Sequence, residues 1–557
     1  MLRHCSSRSL TLPRPRVRIL AKQRALLSCP LSTLPPHLLI PFLPPLPSIP
    51  APPEIPAVLS TSPNQASRPS IKERLTRLLG YLVRGVRMLA RAASVGAIAS
   101  PFLLSYPLTY ASPAFYAHWL DAACSAVELT GAAFIKGCQW ASSRPDIFGK
   151  QFTEAFSRLQ DKTKPHSFKV TEQVLSEYLG GDWREVIKLD PNVIGSGCIG
   201  QVYKGEMMVD GESKVVAVKI LHPGVERGID VDMDIMRFFA AILELNPDNK
   251  WLSPRGMVEE FALMLSEQLD LRIEAENLNQ FRANFSYDPD VGFPEPYRAH
   301  RGLLVEEFVD GQSLEEFLAE HAADKELRER LCDKGIAVVC NMIFRDNFVH
   351  GDVHPGNIMF ERATGSKTTR LILLDAGIAR RYRRHDYDVI TDFLAHIIRA
   401  EGRKGADALI DDSIATSGYV PSGEDLEKFR GYFEHIVWQA RSDASFFDQI
   451  GNYVAGICDV ASKHKVMLNP GFVSIALSIR VMEGVALALH ENALIWKIAQ
   501  AIILREKASD AMEEAGVGEV IEDVKRKVND LYRDVVGGPD GIFKEEGGTK
   551  MKKKFVE

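Results

Sequence analysis

The chain has 557 residues, which exceeds the size of a single hydrophobic core and predicts at least two lobes or domains. Charged residues make up 25% of it and hydrophobic residues 46%, as in ordinary globular proteins. The net charge of -6 provides no global basic field, so we expect no nucleic-acid partner. The eight cysteines are scattered without a C-x-x-C pair, which argues against a zinc site or a disulfide framework and indicates a reducing compartment.

The first 29 residues form a basic segment. Six arginines and Lys22 precede residue 25, and the first acidic residue of the chain is Glu54. Such a segment is typical of a mitochondrial transit peptide, and a disordered basic tail is the alternative interpretation. The complete exclusion of acids and the lack of a long apolar secretory core favour the transit peptide. We therefore predict that residues 1–29 direct the protein to mitochondria.

Two further segments precede the globular part. Residues 30–70 carry dense proline clusters, which remove backbone donors and fix φ, so we predict an extended linker. Residues 71–120 begin with a basic helical pattern, IKERLTRLLGYLVRGVRMLAR, that suits an anionic membrane surface. The uncharged run 92–116 is long enough to span a bilayer, but three prolines interrupt it. The alternatives are a transmembrane or re-entrant segment and a buried, kinked helix pair, and the preceding basic stretch favours the membrane.

Residues 121–504 show a mixed pattern of strands and helices. The segment VIGSGCIGQVYKGEM, the charged turn VDGESK and the segment VVAVKIL predict a hairpin-like pair of strands. After several long helical patterns, the strand LLVEEFV leads into a helix near Ser313, and the chain after Leu371 is almost entirely helical. Residues 505–557 form a charged C-terminal tail whose glycine- and lysine-rich end we predict to be disordered.

A glycine-rich loop follows the first strand pattern. Gly195, Gly197, Gly200 and Val202 fit G-x-G-x-x-G-x-V between two strands. Glycines at these positions let backbone N–H groups approach phosphate oxygens without interference from a Cβ. A tight β-turn would give the same pattern, so this motif alone leaves both interpretations open.

Lys219 ends the apolar run Val-Ala-Val-Lys that follows the loop. A lysine at this distance after a glycine-rich loop is placed to reach nucleotide phosphates. An ordinary exposed lysine on a strand is the alternative, and the preceding loop favours the phosphate role.

The strongest signal is HGDVHPGN, followed by an apolar strand that ends in Asp375-Ala-Gly. Asp352 and Asn357 have the separation of the catalytic-loop Asp and Asn of kinases. An Asp there accepts or orients a hydroxyl proton, and the Asn carbonyl oxygen holds magnesium, which Asp375 bridges to the phosphates. Two histidines in this segment, His350 and His354, offer a metal site, but the neighbouring Pro-Gly favours structural histidines in a loop.

These motifs resemble the UbiB-type atypical kinases, also called aarF-domain kinases. HGDVHPGN is highly specific for that family, and the resemblance runs from about Gly131 to Leu504. In its details the chain resembles the aarF-domain-containing kinase 2 branch. The resemblance implies a two-lobed, protein-kinase-like α+β fold with an N-terminal helical extension. The atypical kinase domain would occupy residues 121–504, with the N-lobe extending to about residue 310.

The resemblance also implies roles for individual residues. Lys219 would bind phosphate and pair with Glu274, and Asp352 would act as the catalytic-loop base. Asn357 and Asp375 would hold magnesium. Two residues on the strand LLVEEFV are assigned to nucleotide binding with the glycine-rich loop, namely Glu306 and Phe308. Four residues resemble the family's KxGQ and ExD motifs and would hold a helix across the cleft, hindering protein substrates: Lys136, Gln139, Gln268 and Asp270.

Three departures from the family pattern concern the loop and the covering helix. The family's alanine-rich nucleotide loop is here Gly-Ser-Gly-Cys, and KxGQ is here Lys-Gly-Cys-Gln. The first acid of ExD is Gln268, so Lys136 lacks its usual carboxylate there. Glu267 is adjacent, but its direction around the helix differs by about 100°. We therefore expect the covering helix to be held differently.

The sequence predicts an enzyme that uses ATP and Mg²⁺. The leading hypothesis is a mitochondrial atypical kinase or ATPase, associated with the inner membrane, that acts in coenzyme Q biosynthesis or lipid metabolism. Its expected partners are mitochondrial membrane lipids and either coenzyme Q biosynthetic proteins or quinone intermediates. A pseudokinase scaffold and a lipid-extraction chaperone without phosphoryl transfer are the alternatives, and the retained motif residues disfavour the scaffold.

Overall fold

A computed structural model describes residues 71–502, except positions 149, 158, 160–164, 363–368, 399–400 and 443–449 and several between 492 and 501. The predicted transit peptide, linker and C-terminal tail, over residues 1–29, 30–70 and 505–557, lie outside the described residues. The chain divides into two units after Leu75, and every contact given below lies within the unit Thr76–Glu557.

Helices precede the first strand. They are α1 (Ile71–Ser105), α2 (Pro113–Val127), α3 (Ala132–Ser142), α4 (Pro145–Phe148), α5 (Lys150–Phe156), α6 (Phe168–Leu179) and α7 (Trp183–Val186), with a 3-10 turn at Tyr106–Ala111. Pro101 lies inside α1, so this proline does not end the helix as the sequence suggested. The chain turns instead at Ser112, whose side chain caps α2 ahead of Pro113.

A single apolar stretch in this region is long enough to cross a membrane. It covers Gly85–Ala111, and its residues are exposed or partly buried, apart from the buried Thr109. Length and composition alone are weak evidence for a span, and Pro470–Leu489, in the C-lobe, passes the same test although it is half-buried. Both alternatives for residues 92–116 therefore stay open, since the stretch is long enough for a span while Phe102 and Tyr116 pack against a core cluster.

The N-lobe contains a five-stranded antiparallel sheet in the order β1-β2-β3-β6-β5. Its strands are β1 (Ile187–Ser196), β2 (Gly200–Val209), β3 (Glu212–Leu221), β5 (Pro296–His300) and β6 (Leu303–Glu307). The predicted hairpin pair is therefore three strands, because a turn at residues 197–199 divides its first arm into β1 and β2. The β2–β3 turn forms at Asp210 and Gly211, both with positive φ, as a two-residue hairpin of this kind requires.

Three long helices lie between β3 and β5, namely α8 (Val225–Leu243), α9 (Pro254–Gln268) and α10 (Leu271–Asn284). The expected helix after LLVEEFV is α11 (Leu314–Glu320), which begins with a capping box of Ser313 and Glu316. The C-lobe has a four-stranded sheet in the order β4-β10-β9-β7, and β8 pairs with β11. These strands are β4 (Val291–Gly292), β7 (Gln312–Ser313), β8 (Val349–His350), β9 (Ile358–Arg362), β10 (Thr369–Leu373) and β11 (Ala379–Arg380).

The largest core cluster lies in the helical C-lobe and reaches Leu221 and Leu304 of the N-lobe sheet, and a second cluster lies within the N-lobe. The C-lobe helices are α12 (Lys325–Cys340), α13 (Arg384–Ile398), α14 (Gly402–Ser417), α15 (Gly423–Ser442), α16 (Ile450–Lys463) and α17 (Pro470–Leu489). Their apolar faces form the largest core cluster, which extends to α10 and β10. A second cluster fills the face of the five-stranded sheet that α6 and α7 cover. The opposite face of this sheet is left for a cleft between the lobes, which confirms the two-lobed α+β architecture.

Candidate functional site

Lys219 lies on the cleft face of the N-lobe sheet. The alternation of β3 buries Val216, Val218 and Ile220 in the core behind the sheet and turns Ala217 and Lys219 to the other side. The Lys219 ammonium donates to both carboxylate oxygens of Glu274 at 2.8 Å and to Oδ2 of Asp375 at 3.2 Å. The strand lysine thus meets two acids that are distant in sequence.

Glu274 reaches Lys219 from the buried face of α10. Asp270 caps this helix through a bond from the Arg272 N–H, which sets the helix start. Leu271, Glu274, Ala275 and Leu278 then follow one another on a single stripe, all of them buried. The Glu274 side chain is only 3% exposed, so its carboxylate requires the lysine as a partner.

Asp375 follows β10 in a left-handed backbone conformation, with φ of 47°. Its Oδ1 accepts from the Gly377 N–H at 3.1 Å, while Oδ2 faces Lys219. The next residues are equally constrained, because Asn277 of α10 donates to the Ala376 carbonyl at 2.9 Å. Such backbone strain is held by surrounding contacts and is concentrated at functional sites.

The acidic residues around Lys219 differ in how readily they ionise. Lys219 faces Glu274, Asp375 and, from the neighbouring strand, Glu306. Burial raises the pKa of Glu306 to about 8, and Glu274 adds to the effect. Burial also raises the pKa of Glu274 to about 7, although Lys219 opposes this. Burial works against ionisation of Asp375 too, but Lys219 overcomes it and lowers the pKa of that exposed carboxyl. The negative charge is therefore concentrated on Asp375, which faces the cleft.

The catalytic-type loop lies beside Asp375. His350 is fully buried: its Nε2 donates to the Leu374 carbonyl at 3.1 Å, and its Nδ1 accepts from the Asp352 N–H at 3.2 Å. Asn357 Nδ2 donates to the Asp352 carbonyl at 3.0 Å, and the Leu374 N–H donates to the Asn357 carbonyl at 2.8 Å. These bonds hold Asp352 and Asn357 next to the Asp375 segment.

The two histidines of HGDVHPGN have structural contacts. Both ring nitrogens of His350 are used within the loop, and burial lowers the pKa of its ring. His354 caps the 3-10 turn Pro355–Asn357 by accepting from the Gly356 N–H at 3.1 Å. These contacts support the interpretation of His350 and His354 as loop histidines rather than metal ligands.

Asp375 and Asn357 suit a magnesium ion that is shared with a nucleotide. The amide of Asn357 spends its nitrogen on the Asp352 carbonyl, so its oxygen is the group available to a metal. In the described part of the chain, no group of three or more His, Cys, Asp or Glu residues could hold a metal alone. Mg²⁺ is commonly bound by one or two protein groups and completed by phosphates and water. The residues present fit that arrangement.

The glycine-rich loop forms the turn between β1 and β2. The Gly197 N–H donates to the Gly200 carbonyl at 2.8 Å, so this N–H is used inside the turn. A Cβ at Gly200 would lie 2.7 Å from the Ile220 carbonyl oxygen, whereas a Cβ at Gly195 would meet nothing within 4 Å. Close backbone approach thus requires a glycine at position 200 but not at position 195. Val202 pairs with Lys219 across β2 and β3, which puts both on the cleft face.

Glu306, on β6, and Phe308, directly after it, both lie on the side of the sheet that carries Lys219. Glu306 pairs with Ala217, so its side chain is on the same face as Lys219, and its Oε2 is buried without a hydrogen-bond partner. The Phe308 ring lies under the Lys204 ammonium, 4.1 Å from its centroid. Glu306 therefore belongs to the cluster around Lys219, and Phe308 lies on the same face farther along β2, because Lys204 pairs with Ala217.

The covering helix of the family corresponds to α3. Lys136 lies close enough to Asp375 to lower the pKa of that carboxyl. Gln139 donates to the Leu159 carbonyl at 3.3 Å and so faces the helical extension. Gly137 lies against Met236 of α8 and Phe261 of α9, where a Cβ would be 3.6 Å from either side chain. Lys136 thus faces the cleft while α3 packs on α8 and α9.

The residues of the ExD-like motif are paired differently from one another. Gln268 Oε1 is buried without a hydrogen-bond partner, whereas the Asp270 carboxylate accepts hydrogen bonds from the Arg272 guanidinium. Glu267, the adjacent acid, accepts from Arg380 of β11 at 2.9 Å. The sequence analysis missed this pair and the contact of Asn277 with Ala376. The position of Asn277 was predictable in part, because Asn277 lies three residues after Glu274 and therefore on the same face of α10.

Comparison with known proteins connects this site to a family. Residues 158–408 match the family model described as the ABC1 atypical kinase-like domain. These residues form an ABC1 atypical kinase-like domain, and the chain is similar to the ABC1 and UbiB proteins over most of its length. Two yeast relatives, both named as mitochondrial ABC1 family proteins, are 27% identical. The Schizosaccharomyces pombe protein matches over 75% of this chain and 72% of its own length, and the Saccharomyces cerevisiae protein over 76% and 75%.

A bacterial relative also matches over most of its length. The Pasteurella multocida protein named "Probable protein kinase UbiB" is 26% identical over 75% of this chain and 79% of its own. These matches confirm the family resemblance and, with the two-lobed architecture, the kinase-like fold. The narrower resemblance to the kinase 2 branch stays a prediction.

Proposed function

We propose that this chain, which is similar to the ABC1 and UbiB proteins, binds Mg-ATP in its cleft and acts as a mitochondrial atypical kinase or ATPase. The observation that carries the proposal is the contact of Lys219 with both Glu274 and Asp375, directly beside Asp352 and Asn357. Kinase chemistry requires this combination, since phosphoryl transfer is catalysed mainly by positioning and by charge stabilisation.

Each residue has a defined task in this proposal. Lys219 binds phosphate oxygens, and Glu274 holds the lysine in place. Asp352 orients the hydroxyl or water that attacks, and it accepts the proton. Asp375 and Asn357 would hold magnesium, which neutralises charge developing on the phosphate oxygens. Glu306 supports binding of the polyphosphate by remaining protonated near neutral pH, because its pKa is raised to about 8.

The acceptor is proposed to be water or a small molecule of coenzyme Q or lipid metabolism. The proximity of Lys136 to Asp375 supports this choice, because α3 then occupies space that a protein substrate would need. The mitochondrial names of the yeast relatives support a mitochondrial location. The apolar stretch Gly85–Ala111 supports contact with inner-membrane lipids, and quinone intermediates or coenzyme Q biosynthetic proteins are the proposed partners.

Nucleotide binding is tested with Asp375→Asn. Removing this charge should weaken Mg-ATP affinity and leave metal-free ATP binding less affected, as measured by titration calorimetry. Asp210→Asn is the matched control, because Asp210 also has a positive φ, which Asn tolerates, but lies in the β2–β3 turn. Equal Mg-ATP affinity in both folded variants would overturn the magnesium assignment.

Turnover is tested by ADP release from the parent protein, alone and with quinone-like phenols or cardiolipin-containing vesicles. ADP release that these additions stimulate supports a kinase or ATPase of quinone or lipid metabolism. Nucleotide binding without ADP release would support the pseudokinase scaffold instead. Release of lipid from vesicles coupled to nucleotide state, without phosphorylated product, would support the extraction chaperone.

A further inference from the structure

A chain of hydrogen bonds lies directly behind the glycine-rich loop, outside the cleft. His222 Nε2 is 2.8 Å from the Gly197 carbonyl oxygen, and its Nδ1 is 2.7 Å from Nδ1 of His166. His166 Nε2 is 3.0 Å from Thr171 Oγ1, which is 2.7 Å from the Tyr203 hydroxyl. The Tyr203 hydroxyl in turn accepts from the side chain of Gln201.

The loop end of this chain determines where each proton lies. A carbonyl oxygen only accepts, so His222 must carry its proton on Nε2. The Nδ1 of a neutral His222 then accepts, and His166 must donate to it from its own Nδ1. The Nε2 of a neutral His166 must accept from Thr171, and Thr171 must accept from Tyr203.

The opposite end agrees with this direction. The backbone N–H of His166 donates to Gln201 Oε1 at 2.9 Å, and the His166 carbonyl faces Gln201 Nε2 at 3.3 Å. These two backbone groups orient the Gln201 amide, so its nitrogen is the donor to Tyr203. The Tyr203 hydroxyl hydrogen is then available for Thr171, as the loop end requires, and no bond in the chain joins two donors or two acceptors.

This arrangement has no place for an additional proton. A proton on either histidine would make His166 a donor to Thr171, and either the Thr171 or the Tyr203 hydroxyl hydrogen would then have no acceptor in the chain. Burial and the neighbouring His222 lower the pKa of His166 to about 4, in agreement with a neutral His166 ring. Thr171, Gln201 and Tyr203 are fully buried, so a broken bond would leave a polar group without water.

We propose that His222 and His166 are positioning residues that hold the phosphate-binding turn in one geometry through this directed chain of hydrogen bonds. His222 holds the turn at two points, because its backbone N–H also donates to the Ile199 carbonyl at 2.8 Å. The His222 ring holds the Gly197 carbonyl oxygen so that it points away from the bound phosphate groups. This carbonyl oxygen would otherwise repel the negatively charged phosphate. The proposed effect on nucleotide binding rests on the proposed function. The proposed effect on the geometry of the turn is independent of that function.

The proton positions are tested by NMR of the full chain labelled with ¹⁵N-histidine. Neutral His166 should appear as the Nδ1–H tautomer and neutral His222 as the Nε2–H tautomer, with a coupling across the Nδ1···Nδ1 hydrogen bond. The same tautomer on both residues, or a charged ring on either at neutral pH, would overturn the proposal. This measurement needs no nucleotide, so it remains decisive if the proposed function fails.

The positioning role is tested with three variants. His222→Phe removes the bond to Gly197 and should weaken Mg-ATP binding about five-fold, as for one net hydrogen bond. It should also speed amide exchange at Gly197 and Gly200. His222→Gln keeps a side-chain donor and should restore part of both effects. His300→Phe is the matched control, because His300 stacks on Tyr178 away from the loop and should change neither.

Thr171→Val is a second test. Thr171 lies on α6 and does not touch the loop, so this substitution interrupts the chain of hydrogen bonds at a distance from the loop. It should also speed amide exchange in the turn, whereas Thr171→Ser, which keeps the hydroxyl, should not. Exchange rates unchanged in both His222→Phe and Thr171→Val would overturn the proposal. Failure of the parent itself to bind Mg-ATP, with the exchange effects present, would count against the proposed function only.

Discussion

The cleft around Lys219 and the region around helix α3 differ in how their polar groups are paired. In the cleft, a single lysine contacts two carboxylates, and the loop residues around Asp352 are connected by backbone hydrogen bonds. Around α3 the polar partners are redistributed: Glu267 pairs with Arg380, while Gln268 Oε1 is buried without a partner. The same family pattern is thus kept in one region and rearranged in the other.

The difference reflects what positions each region. Apart from Glu274 on α10, the cleft residues lie on strands and tight loops, where backbone hydrogen bonds set the direction of the side chains. Helix α3 is held by apolar packing, including Trp140 against Phe261, with ring centroids 5.9 Å apart. Apolar packing is not directional, so it tolerates an exchange of polar partners around it. The predictions below test this contrast.

The largest effect is expected for Asp352→Asn. Asp352 acts on the attacking group rather than on the bound nucleotide, so turnover should fall by roughly 10²–10⁴-fold while Mg-ATP affinity is retained. ADP release and calorimetric titration measure the two quantities. Asp270→Asn is the matched control in the other region, since Asn caps a helix as well as Asp does, and turnover should stay within about two-fold.

Two results would contradict the expected difference between Asp352→Asn and Asp270→Asn. Equal loss of turnover in both variants would mean that Asp270 is part of the chemistry. Rescue of a respiratory or coenzyme Q defect by Asp352→Asn would support the scaffold instead, because a scaffold has no turnover to lose.

The next effect concerns two glycines of the same loop. Gly200→Ala should weaken Mg-ATP binding by about ten-fold, because its Cβ would lie 2.7 Å from a backbone carbonyl and must displace β3 near Lys219. Gly195→Ala is the matched control, since nothing lies within 4 Å of its Cβ position. Titration calorimetry distinguishes them. Similar affinities for the two variants would show that the loop accommodates a Cβ anywhere.

Much of the cleft was predictable from the sequence for a physical reason. Lys219, Asp352, Asn357 and Asp375 occur in short motifs whose strands and turns form locally, and the fold only has to bring these motifs together. The contact of Lys219 with Glu274 could be expected from the resemblance alone, because no spacing rule joins a strand to a helix that lies 55 residues later.

The remaining features depend on contacts that no local pattern encodes. The pair of Glu267 and Arg380 connects α9 to β11 across 113 residues. The position of the Phe308 ring beneath Lys204 depends on how the chain leaves β6. Pro101 predicted a break in α1, yet a proline inside a helix costs only a few kcal/mol, which surrounding helical turns can offset.

A smaller effect concerns the pH dependence of nucleotide affinity. Glu306 has a pKa raised to about 8, so it is neutral below that pH and becomes charged as the pH rises through it. The additional negative charge near Lys219 should weaken Mg-ATP binding several-fold between pH 7 and pH 9. Glu306→Gln should remove this part of the pH dependence. A parent affinity that is constant over this range, or rises, would contradict the assignment.

The smallest effect is expected in the ExD-like motif and tests the redistribution itself. Glu267→Gln replaces the charged partner of Arg380 and should lower the free energy of unfolding by about 0.5–1 kcal/mol, since both side chains are about one-quarter exposed. Gln268→Met removes a buried oxygen that has no hydrogen-bond partner, so it should leave this free energy unchanged or raise it by up to about 1 kcal/mol. Denaturant unfolding of the two variants gives the comparison directly. A greater loss for Gln268→Met than for Glu267→Gln would mean that Gln268, like the acid it replaces, still holds the covering helix.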